Sequence, residues 1–182
     1  KLAEKMTTEE KALFELKKRS EEQIKVPIDK MDLKQFKVLN LRQVNATSSG
    51  KICGPKAANL GQLKLMFPDN VVEGLVIPFG IFRMHMDQKM PDGSMSYWEF
   101  VNTAFKDAAS MEKEGKAKAE VDQFILSKLE ILRAAILKMP LLPSFVSDLK
   151  GQFTSVFEKS MGNLPVFLRS DTNMEDLKDF TG

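Results

Sequence analysis

The residues of this chain best suited to chemistry lie in the stretch RSDTNMEDLKDFTG, which begins at Arg169. A short run of bulky and branched residues, PVFL over 165–168, precedes it and predicts a buried strand. An always-charged guanidinium at the end of a strand can hold a phosphate in its planar fork, with hydroxyl and backbone N–H groups of the next residues beside it. The same spacing also fits a structural arginine paired with Asp171, Glu175 or Asp176, because ion-pair networks collect charges too.

A second candidate group is Lys56, near the start of a predicted helix. The stretch from Gly54 to Leu63 reads GPKAANLGQL, and proline is frequent in the first turn of a helix, so we predict a helix from Lys56 to about Phe67. The first N–H groups of a helix are free of partners within it, and together with Lys56 they form a predicted site for a nucleotide phosphate. From the residues alone, an ordinary surface lysine is the more frequent outcome.

These stretches resemble sequence motifs of one protein family. The stretch from Arg169 to Leu177 resembles the R-S-S-(A/S)-x-x-E-D-L signature in the N-terminal ATP-binding domain of phosphoenolpyruvate synthase and its relative pyruvate phosphate dikinase. The stretch that begins at Gly54 is similar to the family's G-G-K-x-A-x-L-G-E-L, with Pro55 where a second glycine is common. Between them GLVIPFGI, which begins at Gly74, is similar to the family's G-x-x-V-P-x-G-F. The motifs follow one another in the order that the family has.

The resemblance implies an α+β fold, the first lobe of an ATP-grasp-like nucleotide-binding domain with a few-stranded sheet and several packing helices. It implies that this partial ATP-binding domain covers residues 31–182, after an N-terminal helix or linker over 1–30. In the family, ATP bound with Mg²⁺ donates phosphate to a histidine of another domain, and the phosphate then passes to pyruvate. Because Gly182 falls inside the predicted phosphate loop, we expect a piece of a longer enzyme, inactive alone, whose magnesium ligands, phosphohistidine domain and substrate domain lie downstream.

The resemblance also implies which residues bind ATP. Lys56 would hold phosphate oxygens from the helix start, Arg169 would hold them from the strand end, and the loop from Ser170 to Gly182 would close over the nucleotide and exclude water. Three roles stay open for Glu175 and Asp176, which would orient Arg169, lie near magnesium or be solvated. The predicted ATP-binding residues are Lys56, Arg169, Ser170, Thr172, Glu175, Asp176, Thr181 and Gly182.

Two alternatives to a pyruvate-directed dikinase remain at this stage. A glucan dikinase or other water dikinase shares this nucleotide lobe, and Asn173 brings the loop a little closer to the glucan enzymes. A function of another class is a non-catalytic module that binds a partner protein through helices between Ser94 and Met161. Sequence downstream of Gly182 would distinguish the two dikinases.

The other reactive side chains are Cys53 and His85, the single cysteine and the single histidine of the chain. One cysteine excludes an internal disulfide, and no spacing argument places His85 beside it as a base, so Cys53 is predicted to fill the core. One cysteine and one histidine do not supply the usual four ligands of a zinc site. His85 lies outside any phosphohistidine-like motif, so we predict a core or surface residue that carries no phosphate.

The helices and strands around these groups are predicted from periodicity and from helix boundary signals. An amphipathic helix from Thr7 to about Lys25 starts with a capping box formed by Thr7 and Glu10. Short strands are predicted over 36–41 and 71–77, and Pro78 begins the next element. Further helices are predicted over 97–109, 117–138 and 144–161.

Within the predicted helix that starts at Lys56, spacing distinguishes the residues that face the core. Ala57, Leu60 and Leu63 are predicted to pack inward. Gly61 has no side chain and is predicted to permit close approach to a neighbouring element.

Composition and net charge argue against some classes of partner. With 182 residues, 43% of them hydrophobic, the chain is long enough to bury a core. A formal net charge of +2 provides no strong field for nucleic acid, so no nucleic-acid partner is expected. No apolar run approaches the roughly 18 residues of a membrane helix, so we expect no membrane partner and a cytoplasmic protein.

Overall fold

The computed structural model describes residues 7–11 and 28–173. The fold is α+β, about 55% helical, with a small two-stranded antiparallel sheet. In the described ranges no helix is long and apolar enough to cross a membrane. The strands are β1 (Leu39–Asn40) and β2 (Leu75–Val76), and the longer helices are α1 (Pro55–Met66), α2 (Phe79–Met86), α3 (Tyr97–Lys113), α4 (Lys118–Ile136) and α5 (Pro143–Phe157).

The capping box predicted at Thr7 is confirmed. The Thr7 N–H donates to the Glu10 carboxylate at 2.8 Å, and the Glu10 N–H donates to the Thr7 hydroxyl at 3.2 Å. Residues 8–11 are helical, as this cap requires. The remainder of the helix predicted to continue to Lys25 lies outside the described residues.

The sheet is shorter than the sequence pattern predicts. Leu39 lies opposite Val76 and Asn40 opposite Leu75, so each strand has two residues rather than the six or seven predicted. The Asn40 side chain accepts a hydrogen bond from the Arg42 N–H at 2.9 Å and caps a 3-10 turn over Leu41–Gln43. This local side-chain bond competes with the strand ladder and ends β1 early.

Helix α1 packs closely on the chain that follows β1, in a core formed by Leu41, Val44, Cys53, Ala58 and Val76. A Cβ on Gly61 would lie 2.8 Å from the Leu41 carbonyl oxygen and would also overlap Val44, so the predicted close approach is confirmed. The prediction that Leu60 and Leu63 pack inward is wrong, because they are 37% and 45% exposed.

The inward face of α1 consists of Ala58, Gly61 and Lys64. A helix that approaches backbone this closely has room beneath it for small side chains and for the thin stem of a lysine, but not for branched leucines. Ala57, the third residue predicted to face inward, is half-buried and packs against the core cluster.

The predicted boundaries of the later helices agree with α3, α4 and α5 to within a few residues. Helices α3 and α4 pack on each other, and α5 packs on both strands. Two further groups of buried residues hold the helices in place, and the second of them also reaches the sheet. One consists of Met86, Met90, Tyr97, Leu132 and Ala135, and the other of Val38, Ile81 and Phe145.

The strand predicted over 165–168 is not formed. The chain from α5 to Asn173 contains no strand, and Phe167 and Leu168 are 99% and 91% exposed. A strand requires a partner for its backbone hydrogen bonds, and the described sheet consists of β1 and β2, neither of which pairs with this segment. Arg169 therefore follows an exposed segment without regular secondary structure rather than a buried strand.

Candidate functional site

The candidate site lies at the first turn of α1. Gly54 is the N-cap residue and has no side chain to cap the helix, and Pro55 follows it as the first helical residue, as predicted. The next two N–H groups, those of Lys56 and Ala57, donate to the two carboxylate oxygens of Asp171 at 2.9 and 3.0 Å. A carboxylate is favoured here because it accepts from unpaired N–H groups at the positive end of the helix dipole.

This arrangement corrects one part of the sequence analysis. The N–H groups of Lys56 and Ala57 were predicted to be free for a phosphate, and they are instead bonded to Asp171. The helix start does bind an anion, but that anion belongs to the same chain, 115 residues away. Asp171 occupies the place of the second serine in the signature that the loop resembles.

Of the predicted ATP-binding residues, the structure describes Lys56, Arg169, Ser170 and Thr172. Lys56 is half-buried, and the other three are exposed. The contact of Asp171 with Lys56 brings the helix start and the loop together, with Arg169 two residues before Asp171 and Thr172 next to it. Glu175, Asp176, Thr181 and Gly182 lie outside the described residues.

Cys53 lies directly before the helix start and is buried in the core cluster. Its thiol is 4.0 Å from the Ser48 carbonyl oxygen. Burial, followed by the negative charge of Asp171, raises the pKa of the Cys53 thiol to about 11. The prediction that Cys53 fills the core is confirmed, and the raised pKa is the reverse of what a nucleophilic cysteine requires.

We expect the Cys53 thiol to resist alkylation in the folded chain. At pH 8, a thiol with a pKa of about 11 is roughly 100-fold less ionised than one with the ordinary value near 9, and burial slows the reaction further. The thiolate fraction should rise about tenfold per pH unit until the pH approaches 11. The measurement is the rate of iodoacetamide labelling by mass spectrometry, with the chain in urea as the reference. Equal rates in the folded and unfolded chain would contradict the buried thiol.

His85 is a core residue with both ring nitrogens engaged. Nδ1 lies 2.8 Å from the Ile81 carbonyl oxygen, and Nε2 accepts a hydrogen bond from the Leu142 N–H at 3.2 Å. We therefore assign the neutral tautomer with its proton on Nδ1. The ring also packs edge-on against Phe145, with centroids 5.2 Å apart. His85 joins α2 to the start of α5, in agreement with the predicted core or surface role.

The described residues do not supply a metal site. Over 7–11 and 28–173, no group of three or more His, Cys, Asp or Glu side chains could hold a metal ion.

Sequence reasoning missed the role of Asp171 but contained a signal for it. A helix that starts with Gly-Pro has no Ser, Thr, Asp or Asn at its N-cap, although its early N–H groups still need acceptors. Such a helix must take its cap from water, a ligand or a distant residue. The acidic loop after Arg169 was the available source, and only the fold brings it to α1.

Comparison with known proteins gives no match among protein-family models, curated proteins or solved structures. The resemblance to the dikinase motifs therefore stays a prediction that rests on the motifs themselves.

Proposed function

We propose that this chain is the ATP-binding part of a phosphoenolpyruvate synthase-like dikinase, which uses ATP to phosphorylate a histidine of another domain for transfer to pyruvate. One observation carries the proposal. Two of the three stretches that resemble the family's motifs meet in space, through hydrogen bonds between the helix start at Lys56 and the loop at Asp171. Residues 115 positions apart need not meet, and here they do.

In this proposal the phosphate contacts come from side chains rather than from the helix N–H groups, because Asp171 engages those of Lys56 and Ala57. Lys56 would approach the phosphates as a point charge, and Arg169 would grip them with its planar fork. The exposed hydroxyls of Ser170 and Thr172 would add hydrogen bonds. Their combined task is to position and neutralise the phosphates, because the histidine of the other domain, and none of these residues, would form the bond to phosphorus. Magnesium, when bound with ATP, would neutralise further phosphate charge.

Thermal unfolding tests the proposal in the protein that contains this chain. A ligand that binds only the folded state at 100 times its dissociation constant stabilises it by about 2.7 kcal/mol. For a domain of this size, that corresponds to a rise in melting temperature of roughly 5–10 °C. We expect magnesium-ATP to produce such a rise and magnesium alone to produce none. No rise up to millimolar magnesium-ATP would refute the proposal.

The assignment of pyruvate as the phosphate acceptor rests on the motif resemblance alone. A glucan or other water dikinase would use the same nucleotide lobe, so pyruvate and glucan should be offered in parallel to the phosphorylated protein. Consumption of the phosphohistidine by pyruvate supports the main proposal, and transfer to glucan supports the alternative.

A second candidate function, a partner-binding module, is favoured by apolar side chains exposed on the helices. Phe105 of α3 is 53% exposed, and Leu126 of α4 and Leu137 at its end are 66% and 79% exposed. Exposed apolar groups of this kind are typical of protein interfaces when they are contiguous. This candidate predicts no effect of magnesium-ATP on the melting temperature, so the experiment above separates the two functions.

A further inference from the structure

The loop that carries Arg169 is attached to α1 and to the turn before it. The carboxylate of Asp171 accepts from the N–H groups of Lys56 and Ala57, as described above. Two residues later, Asn173 lies against Gly50, where φ is +71° and a Cβ would come within 3.1 Å of the Asn173 side-chain oxygen. The loop therefore meets the α1 side of the molecule at two successive points.

The α1 side is shaped to accept Asp171. A Cβ on Gly54 would lie 2.9 Å from the backbone carbonyl carbon of Asp171 and would overlap its carboxylate. The backbone of Gly54, with φ −78° and ψ 177°, is extended and suits any residue. Glycine is thus required at position 54 for space, and the space is occupied by Asp171.

The chain before this attachment is not held by packing. Phe167 and Leu168 are almost fully exposed, and no helix or strand forms between α5 and Asn173. A segment of this kind takes its position from the points at which it is attached. For Arg169, a nearby attachment point is Asp171, two residues along.

We propose that Asp171 is a positioning residue, which docks the segment from Arg169 to Asn173 on the first turn of α1 and thereby fixes where Arg169 stands relative to Lys56. The effect of this docking on ATP binding rests on the proposed function, whereas the docking of the segment on α1 does not. The competing role for Asp171 is an internal substitute for phosphate, displaced when ATP binds. Displacement would break two charge-assisted hydrogen bonds and empty the space beside Gly54, so the geometry favours an anchor that stays in place.

Limited proteolysis measures the docking without any nucleotide. Trypsin cleavage after Arg169 needs a freely extended segment, so Asp171→Ala should accelerate it about tenfold or more, because two hydrogen bonds to a charged group are lost. Gly54→Ala should also accelerate cleavage, because the added Cβ would overlap the Asp171 carboxylate. Asp171→Asn should be intermediate, because one side-chain oxygen still accepts. Asp92→Asn, at an exposed turn elsewhere in the chain, is the matched control.

The double variant Gly54→Ala/Asp171→Ala tests whether both residues act through one contact. If they do, the double variant is cleaved no faster than the faster single variant. Unchanged cleavage in both single variants, or multiplied rates in the double variant, would overturn the docking. Circular dichroism confirms that each variant is folded, and Gly54→Ala tests the contact if Asp171→Ala does not fold.

Measuring the affinity of the same variants for magnesium-ATP tests whether the docking positions Arg169 for ATP binding. We expect Asp171→Ala and Gly54→Ala each to weaken binding about tenfold, since Arg169 is no longer held in place. Unchanged or tighter binding in Asp171→Ala would overturn the positioning role, and tighter binding would indicate that the carboxylate competes with phosphate. If the unsubstituted protein does not bind magnesium-ATP, the proposed function fails, and the proteolysis result alone decides the docking.

Discussion

If the proposed function holds, replacing Lys56 or Arg169 by alanine is expected to remove most ATP-dependent phosphorylation of the protein while the fold stays intact. Each substitution deletes a cation that would contact phosphate, and a hydrogen bond to a charged group is worth about 1.5–3 kcal/mol, or roughly 10- to 150-fold. Losses in catalysis are larger where the contact strengthens in the transition state, reaching about 100- to 1000-fold. The measurement is the rate of protein phosphorylation from radiolabelled ATP, with the melting temperature as the check on folding.

The chain offers matched controls for both substitutions. Lys106 on α3 and Arg133 on α4 are exposed, so Lys106→Ala and Arg133→Ala remove the same charges away from the first turn of α1. We expect both control variants to be phosphorylated by ATP at the rate of the unsubstituted protein. Rates near that level for Lys56→Ala and Arg169→Ala as well would show that the two cations were wrongly assigned.

Replacing Lys64 by methionine is expected to destabilise the chain strongly. Lys64 is 3% exposed, and its ammonium donates to the carbonyl oxygens of Pro68 and Val71 at 2.7 and 2.5 Å. It also pairs with Glu73 at 2.9 Å. Methionine keeps the stem but leaves both carbonyls without this donor, which should lower the free energy of unfolding by about 2–4 kcal/mol. Urea denaturation measures the loss, and a change below about 0.5 kcal/mol would contradict this role for Lys64.

Arg42→Met is the comparison for Lys64→Met, because Arg42 binds the same carboxylate from the surface. An exposed pair contributes about 0–1 kcal/mol, so this variant should lose far less stability. Bonds from Arg42, and then from Lys64, hold the pKa of Glu73 below its ordinary value of 4.5. This contribution to stability is therefore complete above pH 4.5 and is lost as the pH falls through the lower folded value. The pH dependence below 4.5 should be weaker in both variants.

Several elements follow from signals that lie within a few residues of one another. The capping box at Thr7 and the Gly54-Pro55 helix start are determined by local hydrogen bonds and by the fixed φ of proline, and both are present. The later helices have nearly the predicted boundaries, because proline and helical periodicity act over a few turns. Gly61 is required by close packing, and its effect was also predicted.

The features that the sequence did not predict depend on what each segment meets in space. PVFL over 165–168 has the composition of a strand but lacks a partner strand in the described fold, and its side chains are exposed. Leu60 and Leu63 have helical spacing, yet the closeness of α1 to the chain after β1 selects Ala58, Gly61 and Lys64 as the inward face.

The candidate site shows the same division between local and long-range determinants. Residue types and local order in the sequence marked out Lys56, Arg169 and the helix start as groups suited to phosphate. The tertiary structure alone placed the Asp171 carboxylate on the first turn of α1, because a capping bond between residues 115 positions apart depends on the path of the whole chain between them. The local sequence determines that a helix start presents unpaired hydrogen-bond donors. The tertiary fold determines which group accepts from them.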